Sequence, residues 1–146
     1  MRNIILSLMV VFVALSAAGC ATTCQSVTIP DQSKKIDNPQ MARIYVVRPT
    51  AFGGAISIRI TDNDKYIGNT GPNGYLCWER QTGKAEIAGK AENISTVTLD
   101  VKADEVYYIC QHIKMGWWYA RNELEVINAD KGKEFLNKCK PPVLRK

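Results

Sequence analysis

Two side chains of reactive type, Cys110 and His112, stand two positions apart. Alternate side chains of a strand share a face, so a thiol and an imidazole are predicted to lie side by side. Such a pair can act as a nucleophile with its base, and both groups bind zinc. A structural zinc site needs four ligands at recognisable spacing, whereas this chain has one histidine and no C-x-x-C motif. We therefore expect a partly exposed strand histidine rather than a metal site or a catalytic pair.

Two pairs of carboxylates also have same-face strand spacing, Asp62 with Asp64 and Glu123 with Glu125. Paired carboxylates can perform acid–base catalysis or bind calcium. The first pair lies in a turn, where Asp is favoured for backbone reasons, and the second alternates with apolar residues, as on a solvated strand face. The chain lacks the common hydrolase, zinc-protease and phosphate-loop motifs. The sequence thus predicts that the protein is not an enzyme and uses no cofactor.

Three consecutive aromatic residues, Trp117, Trp118 and Tyr119, follow Gly116. Neighbouring strand residues face opposite ways, so Trp117 and Trp118 cannot both enter one core. An exposed aromatic side chain suits a protein interface or stacking on a sugar. The alternative is an edge strand covered by another part of the chain. If the chain has an aromatic binding patch, we expect it here, with Arg121 beside it.

The first twenty residues have the layout of an export signal. Arg2 precedes an almost wholly apolar run over residues 4–18, and small residues lead to Cys20. As a helix this run would span ~22 Å, short of the ~30 Å hydrocarbon core of a bilayer. The end of the run, Ala18-Gly19-Cys20, resembles the lipobox of bacterial lipoprotein signals, although Ala17 stands where that motif usually has Leu. The alternatives are an ordinary cut after Ala18, which would leave a soluble periplasmic protein, and a leader that stays uncut as an anchor.

The lipobox resemblance implies that Cys20 becomes the first mature residue and carries a diacylglycerol and an acyl chain such as palmitate. Two or more acyl chains anchor a protein stably to a membrane. Ala21 follows the cysteine, where an Asp would favour retention in the inner membrane. We therefore expect an envelope lipoprotein, on the outer membrane and facing the periplasm.

The other four cysteines form an even set, which in an oxidising compartment favours disulfides over free thiols. Cys77 and Cys110 lie within predicted strands, and Cys24 and Cys139 lie near the two ends of the mature chain. Pairing like with like gives Cys77–Cys110 and Cys24–Cys139, one of three possible pairings. The alternative is that Cys77 and Cys110 are buried small apolar side chains.

Between the leader and the C-terminal tail, short alternating runs separated by Gly, Asn and Asp turns predict an all-β fold. We expect an antiparallel β-sandwich, or a small barrel, of seven or eight short strands with a short helix near the C-terminus. The predicted organisation is a signal peptide over residues 1–19, a tether over 20–40, the sandwich over 41–128 and a helix with a basic tail over 129–146.

The order of features from residue 41 to residue 128 resembles a bacterial envelope family named domain of unknown function 2846. The resemblance lies in the strand 42–49, the hairpin 62–68, the turn Asn73-Gly74-Tyr75, the pair Gly83-Lys84 and the late strand 106–109. More distantly the chain is similar to β-sandwiches of the carboxypeptidase-regulatory type. The resemblance implies the fold and an envelope location, and it supplies no site residues.

The formal charge of +5 permits weak attraction to anionic partners without requiring any. Nucleic acid is not an expected partner outside the cytoplasm. Our expectation is a structural or protein-interaction module held on the membrane by lipid, with an unidentified envelope protein as partner. The alternative is a module that binds a glycan or a small ligand of the envelope.

Overall fold

The computed structural model describes residues 21–115 and 120–145. Leader residues 1–19, the proposed lipidation site Cys20 and the aromatic residues Trp117, Trp118 and Tyr119 lie outside the described residues. In chain order the elements are β1 (Cys24–Gln25), β2 (Met41–Arg48), β3 (Ile58–Asp62), β4 (Lys65–Thr70), β5 (Gly74–Gln81), β6 (Gly83–Lys90), β7 (Ile94–Val101), β8 (Val106–Met115), β9 (Ala120–Ile127), α1 (Ala129–Leu136) and β10 (Val143–Leu144).

The turns predicted from Asn, Asp and Gly join these strands. The β3–β4 turn holds Asn63 at φ 45° and Asp64 at φ 63°, and Asn73 has φ 49° at the start of β5. Short polar residues tolerate this left-handed conformation better than branched ones. Gly83, at φ 113°, turns the chain from β5 into β6.

The strands form two sheets that face each other, which confirms the sandwich. A six-stranded sheet has the order β10-β1-β4-β3-β6-β7, and a four-stranded sheet has the order β5-β2-β8-β9. Neighbouring strands are antiparallel except for β2 with β8 and β1 with β10. The main core lies between the sheets, where alternate residues of facing strands, among them Ile44, Ile60 and Ile109, are fully buried.

The outer face of the four-stranded sheet carries a second, smaller core that α1 covers. Tyr45 stacks on Tyr108 with ring centroids 5.1 Å apart, and Phe135 packs against the same cluster. Asn128 caps the helix by accepting a hydrogen bond from the Lys131 N–H at 2.9 Å. Gly132 lies directly on the Tyr108 ring, where any Cβ would collide with it. The helix predicted after Asn128 is therefore present and docked.

Residues 21–28, placed in a tether by the sequence analysis, lie within the fold. The short strand β1 is hydrogen-bonded between β4 and β10. Gln25 is fully buried, and its side chain reaches the four-stranded sheet: its amide oxygen accepts from the Cys77 N–H at 2.9 Å, and its amide nitrogen donates to the Cys77 carbonyl at 2.6 Å. The expectation of a loose tether is thus corrected for this stretch, because a polar side chain joins it to both sheets.

The predicted disulfides are corrected as well: Cys24, Cys77, Cys110 and Cys139 are all free thiols in the structure. Cys77 on β5 and Cys110 on β8 both lie beside β2, on opposite sides of it. Two strand spacings separate them by ~9.5 Å, beyond the ~7 Å that a disulfide can bridge. Gln25 points at the four-stranded sheet, so the adjacent Cys24 points away from it, whereas Cys139 packs on that sheet.

Three of these thiols are predicted to be unreactive. Burial raises the pKa of Cys77 to about 12 and the pKa values of Cys110 and Cys139 to about 11. At pH 8 about a thousandth of such thiols or fewer are ionised, and the thiolate is the nucleophile. Native protein treated with iodoacetamide at pH 8 should be modified first at half-buried Cys24, and denatured protein at all four, as counted by mass spectrometry. Disulfide-linked peptides joining any two of these cysteines in a non-reducing digest would contradict the assignment.

Candidate functional site

An open cleft of about 760 Å³ lies along the seam between β4 and β5. β1 fills this seam only as far as Ser26, whose N–H donates to the Ile67 carbonyl at 2.9 Å. Beyond that point the chain leaves the seam through Pro30, which has no N–H to offer a strand. The cleft therefore exists because β1 is two residues long. It is lined by residues 27–31 and 78–81 together with Asp37, Met41, Arg43, Asp62, Asn63, Lys65 and Ile67.

One wall of the cleft is held by Arg43, a buried side chain on the outer face of β2. Its guanidinium forms an ion pair with Glu79 at 2.7 Å and donates to the carbonyl oxygens of Asp31 at 3.2 Å and Lys34 at 3.1 Å. A planar guanidinium suits such a site because its donors point in several fixed directions. Arg43 thus fixes the segment from Asp31 to Lys34, at the border of the cleft, onto the four-stranded sheet.

A second ion pair joins the two sheets at the base of the cleft. Arg80 on β5 pairs with Asp62 at the end of β3, and the Trp78 indole N–H donates to the other Asp62 carboxylate oxygen at 2.9 Å. Trp78 is only 3% exposed, so its ring belongs to the core and cannot stack on a ligand. Asp62, one of the carboxylates singled out in the sequence, is therefore a buried acceptor between the sheets.

The edge of β5 faces the cleft with unused main-chain groups. The Arg43 N–H donates to Glu105 beside β8, so the Arg43 main chain points away from β5. In an antiparallel pair the main-chain N–H and carbonyl of the opposite residue, Glu79, then point away from β2. The same holds for Gln81, two positions further along β5. Among the described residues, the N–H and the carbonyl of Glu79 have no hydrogen-bond partner within the protein. The N–H of Gln81 has none either.

The charges of the cleft nearly balance. Its lining includes four acidic and three basic side chains, and the two ion pairs already described use two of each. The remaining basic side chain, Lys65, is exposed at the opening. A ligand is therefore not selected by a strong field of one sign, which leaves shape and main-chain hydrogen bonding as the means of recognition.

The residues proposed from sequence spacing are dispersed. Cys110 is buried under α1, and His112 lies at the surface with its Nε2 2.9 Å from a carboxylate oxygen of Glu125. Glu123 pairs with Lys114, and this hydrogen bond lowers the pKa of the Glu123 carboxyl. The described residues contain no cluster of three or more His, Cys, Asp or Glu side chains suited to a metal ion.

Arg121 is exposed on β9 opposite Lys114, and the aromatic residues proposed to lie beside it are outside the described residues. The sequence did not predict the cleft itself. One signal for it was available: Arg43 is one of two charged residues, with Arg48, in a mostly apolar strand, and a buried charge needs a partner nearby.

Comparisons with known proteins place the chain without assigning an activity. An uncharacterized protein of Haemophilus influenzae is 25% identical over 133 residues, which cover 88% of this chain and 79% of that protein. No solved structure matches the chain. The model of a family described as "Protein of unknown function (DUF2846)" matches residues 38–122, which include β2 to β8 and the residues of β2 to β5 that line the cleft. Because this match spans more than half of the sequence, the chain belongs to that family.

Proposed function

We propose that this protein is a lipid-anchored envelope lipoprotein that binds an extended segment of a partner protein in the cleft between β4 and β5. The leader pattern ending at Cys20 supports the anchor, and the mature chain would then face the periplasm. Within the described ranges no helix is long and apolar enough to cross a membrane. The proposed role is that of a non-enzymatic interaction module.

The observation that carries the binding proposal is the unpaired edge of β5. Strand edges with free N–H and carbonyl groups accept an extended chain as an additional strand. Other parts of the chain already bind to this edge of β5. The Lys140 carbonyl accepts from the Tyr75 N–H at 3.4 Å, and the Gln25 side chain accepts from the Cys77 N–H. The next two outward positions, Glu79 and Gln81, open into the cleft. A partner strand would lie along the β5 edge beyond Ser26, where β1 no longer follows it.

The dimensions of the cleft fit a short extended segment. From Cys77 to Gln81 the edge spans ~13 Å at ~3.3 Å per residue, which is room for about four residues of a partner strand. Its lining includes half-buried Ile29 and Met41 as well as exposed Asp31 and Lys65. Main-chain bonds would supply affinity, and these side chains would select among sequences.

A glycan or another small polar ligand is the second candidate, because the cleft volume falls within the usual range of ligand sites. Sugar-binding sites commonly stack an aromatic ring on the sugar. Among the described residues that line the cleft the one aromatic is Trp78, which is buried and bonded to Asp62, so it does not supply such a surface. We therefore favour the protein segment.

The anchor is tested by Cys20→Ser in the full-length chain. Wild-type protein should fractionate with membranes and yield a mature N-terminus at an acylated Cys20, because multiple acyl chains hold a protein firmly on a bilayer. Cys20→Ser should leave the membrane fraction or accumulate with its leader uncut. Firm membrane binding of a processed Cys20→Ser protein would contradict the proposed anchor.

Strand addition is tested by Gln81→Pro with Gln81→Ala as its matched control. Proline removes the outward N–H of Gln81 without removing a bond to β2, and proline is tolerated on edge strands. With a photo-crosslinking residue at Lys65, cells should yield a discrete protein adduct that Gln81→Pro reduces at least tenfold and Gln81→Ala retains. Both variants should unfold at similar temperatures.

A crosslinker at exposed Lys131 on α1 serves as the positional control and should not give that adduct. An adduct that survives Gln81→Pro, or that forms equally from Lys131, would refute binding along the β5 edge. Complete photoactivation of the residue at position 65 without any protein adduct would favour a glycan or small ligand instead.

A further inference from the structure

The loop that follows β2, residues 49–57, lies beside the start of the folded chain. The Ala21 N–H donates to the Gly54 carbonyl at 2.8 Å. The Ala21 carbonyl lies directly against Gly71, where no Cβ could be accommodated. Since consecutive Cα atoms are ~3.8 Å apart, a group attached to residue 20 is joined to the chain immediately beside this loop.

Arg48 fixes the shape of the loop from within. It is fully buried, and its guanidinium donates to the carbonyl oxygens of Phe52 at 3.0 Å, Gly53 at 2.8 Å and Ile56 at 2.7 Å. Burial away from water lowers the pKa of Arg48. Carbonyl oxygens rather than a carboxylate accept from its two terminal nitrogens, and its buried Nε has no hydrogen-bond partner among the described residues. With the loop main chain turned inward on Arg48, the Phe52 side chain remains outside and is 48% exposed.

Other exposed side chains gather at the same end of the sandwich. β2 and β8 run parallel, so both end here, and Ile113 of β8 lies 3.3 Å from where a Cβ on Gly53 would stand. Two residues further on, Met115 is 78% exposed. Exposed Arg121 lies opposite exposed Lys114, which pairs with Glu123, on β9 and β8. Apolar side chains beside basic ones match the chemistry of a bilayer interface with anionic headgroups.

We propose that this end of the sandwich contacts the bilayer, with Phe52 inserted among the lipids. The proposal rests on the lipid anchor at Cys20 proposed above, and it adds an orientation. An anchor joined by a long tether would leave the domain free to rotate, but Ala21 is bonded into the fold. The cleft, near the start of β2 and about 20 Å away along that strand, then points into the periplasm.

The test places a photo-crosslinkable phenylalanine analogue at Phe52 or, as matched control, at Val106. Val106 is also apolar and is 42% exposed, but it lies beside Arg43 at the opposite end of the sandwich. Full-length protein matured in cells is reconstituted in vesicles of phosphatidylethanolamine and phosphatidylglycerol, irradiated and analysed by mass spectrometry. Phospholipid adducts should form at least tenfold more at position 52 than at position 106.

Equal adduct yields at positions 52 and 106, in protein that carries the lipid on Cys20 and floats with the vesicles, would overturn the orientation while leaving the anchor intact. Protein matured without lipid that does not float would refute the anchor and the orientation together. Floating, lipidated protein with adducts confined to position 52 would support both.

Discussion

A single buried amide, the side chain of Gln25, connects the two sheets of this sandwich through the main chain of Cys77. Cys77 lies on an edge strand, so without that amide its N–H and carbonyl would be buried and unpaired, which costs more than the bond itself contributes. Gln25 in turn belongs to β1, which is hydrogen-bonded to β4 and β10. Gln25 therefore ties residues 21–28 and, through β10, the C-terminal segment to both sheets, which the Arg80–Asp62 ion pair also joins.

The position of Ala21 at one end of the sandwich and the uncovered edge of β5 at the other both follow from how β1 is placed. Because β1 is part of the fold, Ala21 is held against Gly54 and Gly71. Because β1 is short, the seam that it closes near Cys77 opens again towards Gln81 and leaves a strand edge uncovered. In this account one segment both sets the orientation of the domain on a membrane and leaves the cleft in which a partner strand can bind.

The sequence predicted the sandwich because its information is local: Ile58 and Ile60 alternate with polar residues, and Asn73 and Gly83 mark turns. The helix after Asn128 was equally local, since one cap and one docking face suffice. The disulfides were wrong because pairing depends on strand order, and β2 separates Cys77 from Cys110. Gln25 and the cleft were missed because a two-residue strand in a polar segment has no period to detect, and its partner is 52 residues away.

The most direct test of this account is the free energy of unfolding of the mature protein carrying Gln25→Ala, compared with Gln40→Ala. Gln40 is exposed in the same polar segment, so its replacement should change stability by less than ~0.5 kcal/mol. Gln25→Ala leaves two buried main-chain groups unpaired and a small cavity, and it should lower the free energy of unfolding by about 2–4 kcal/mol. Equal stability of the two variants would mean that residues 21–28 are a tether after all.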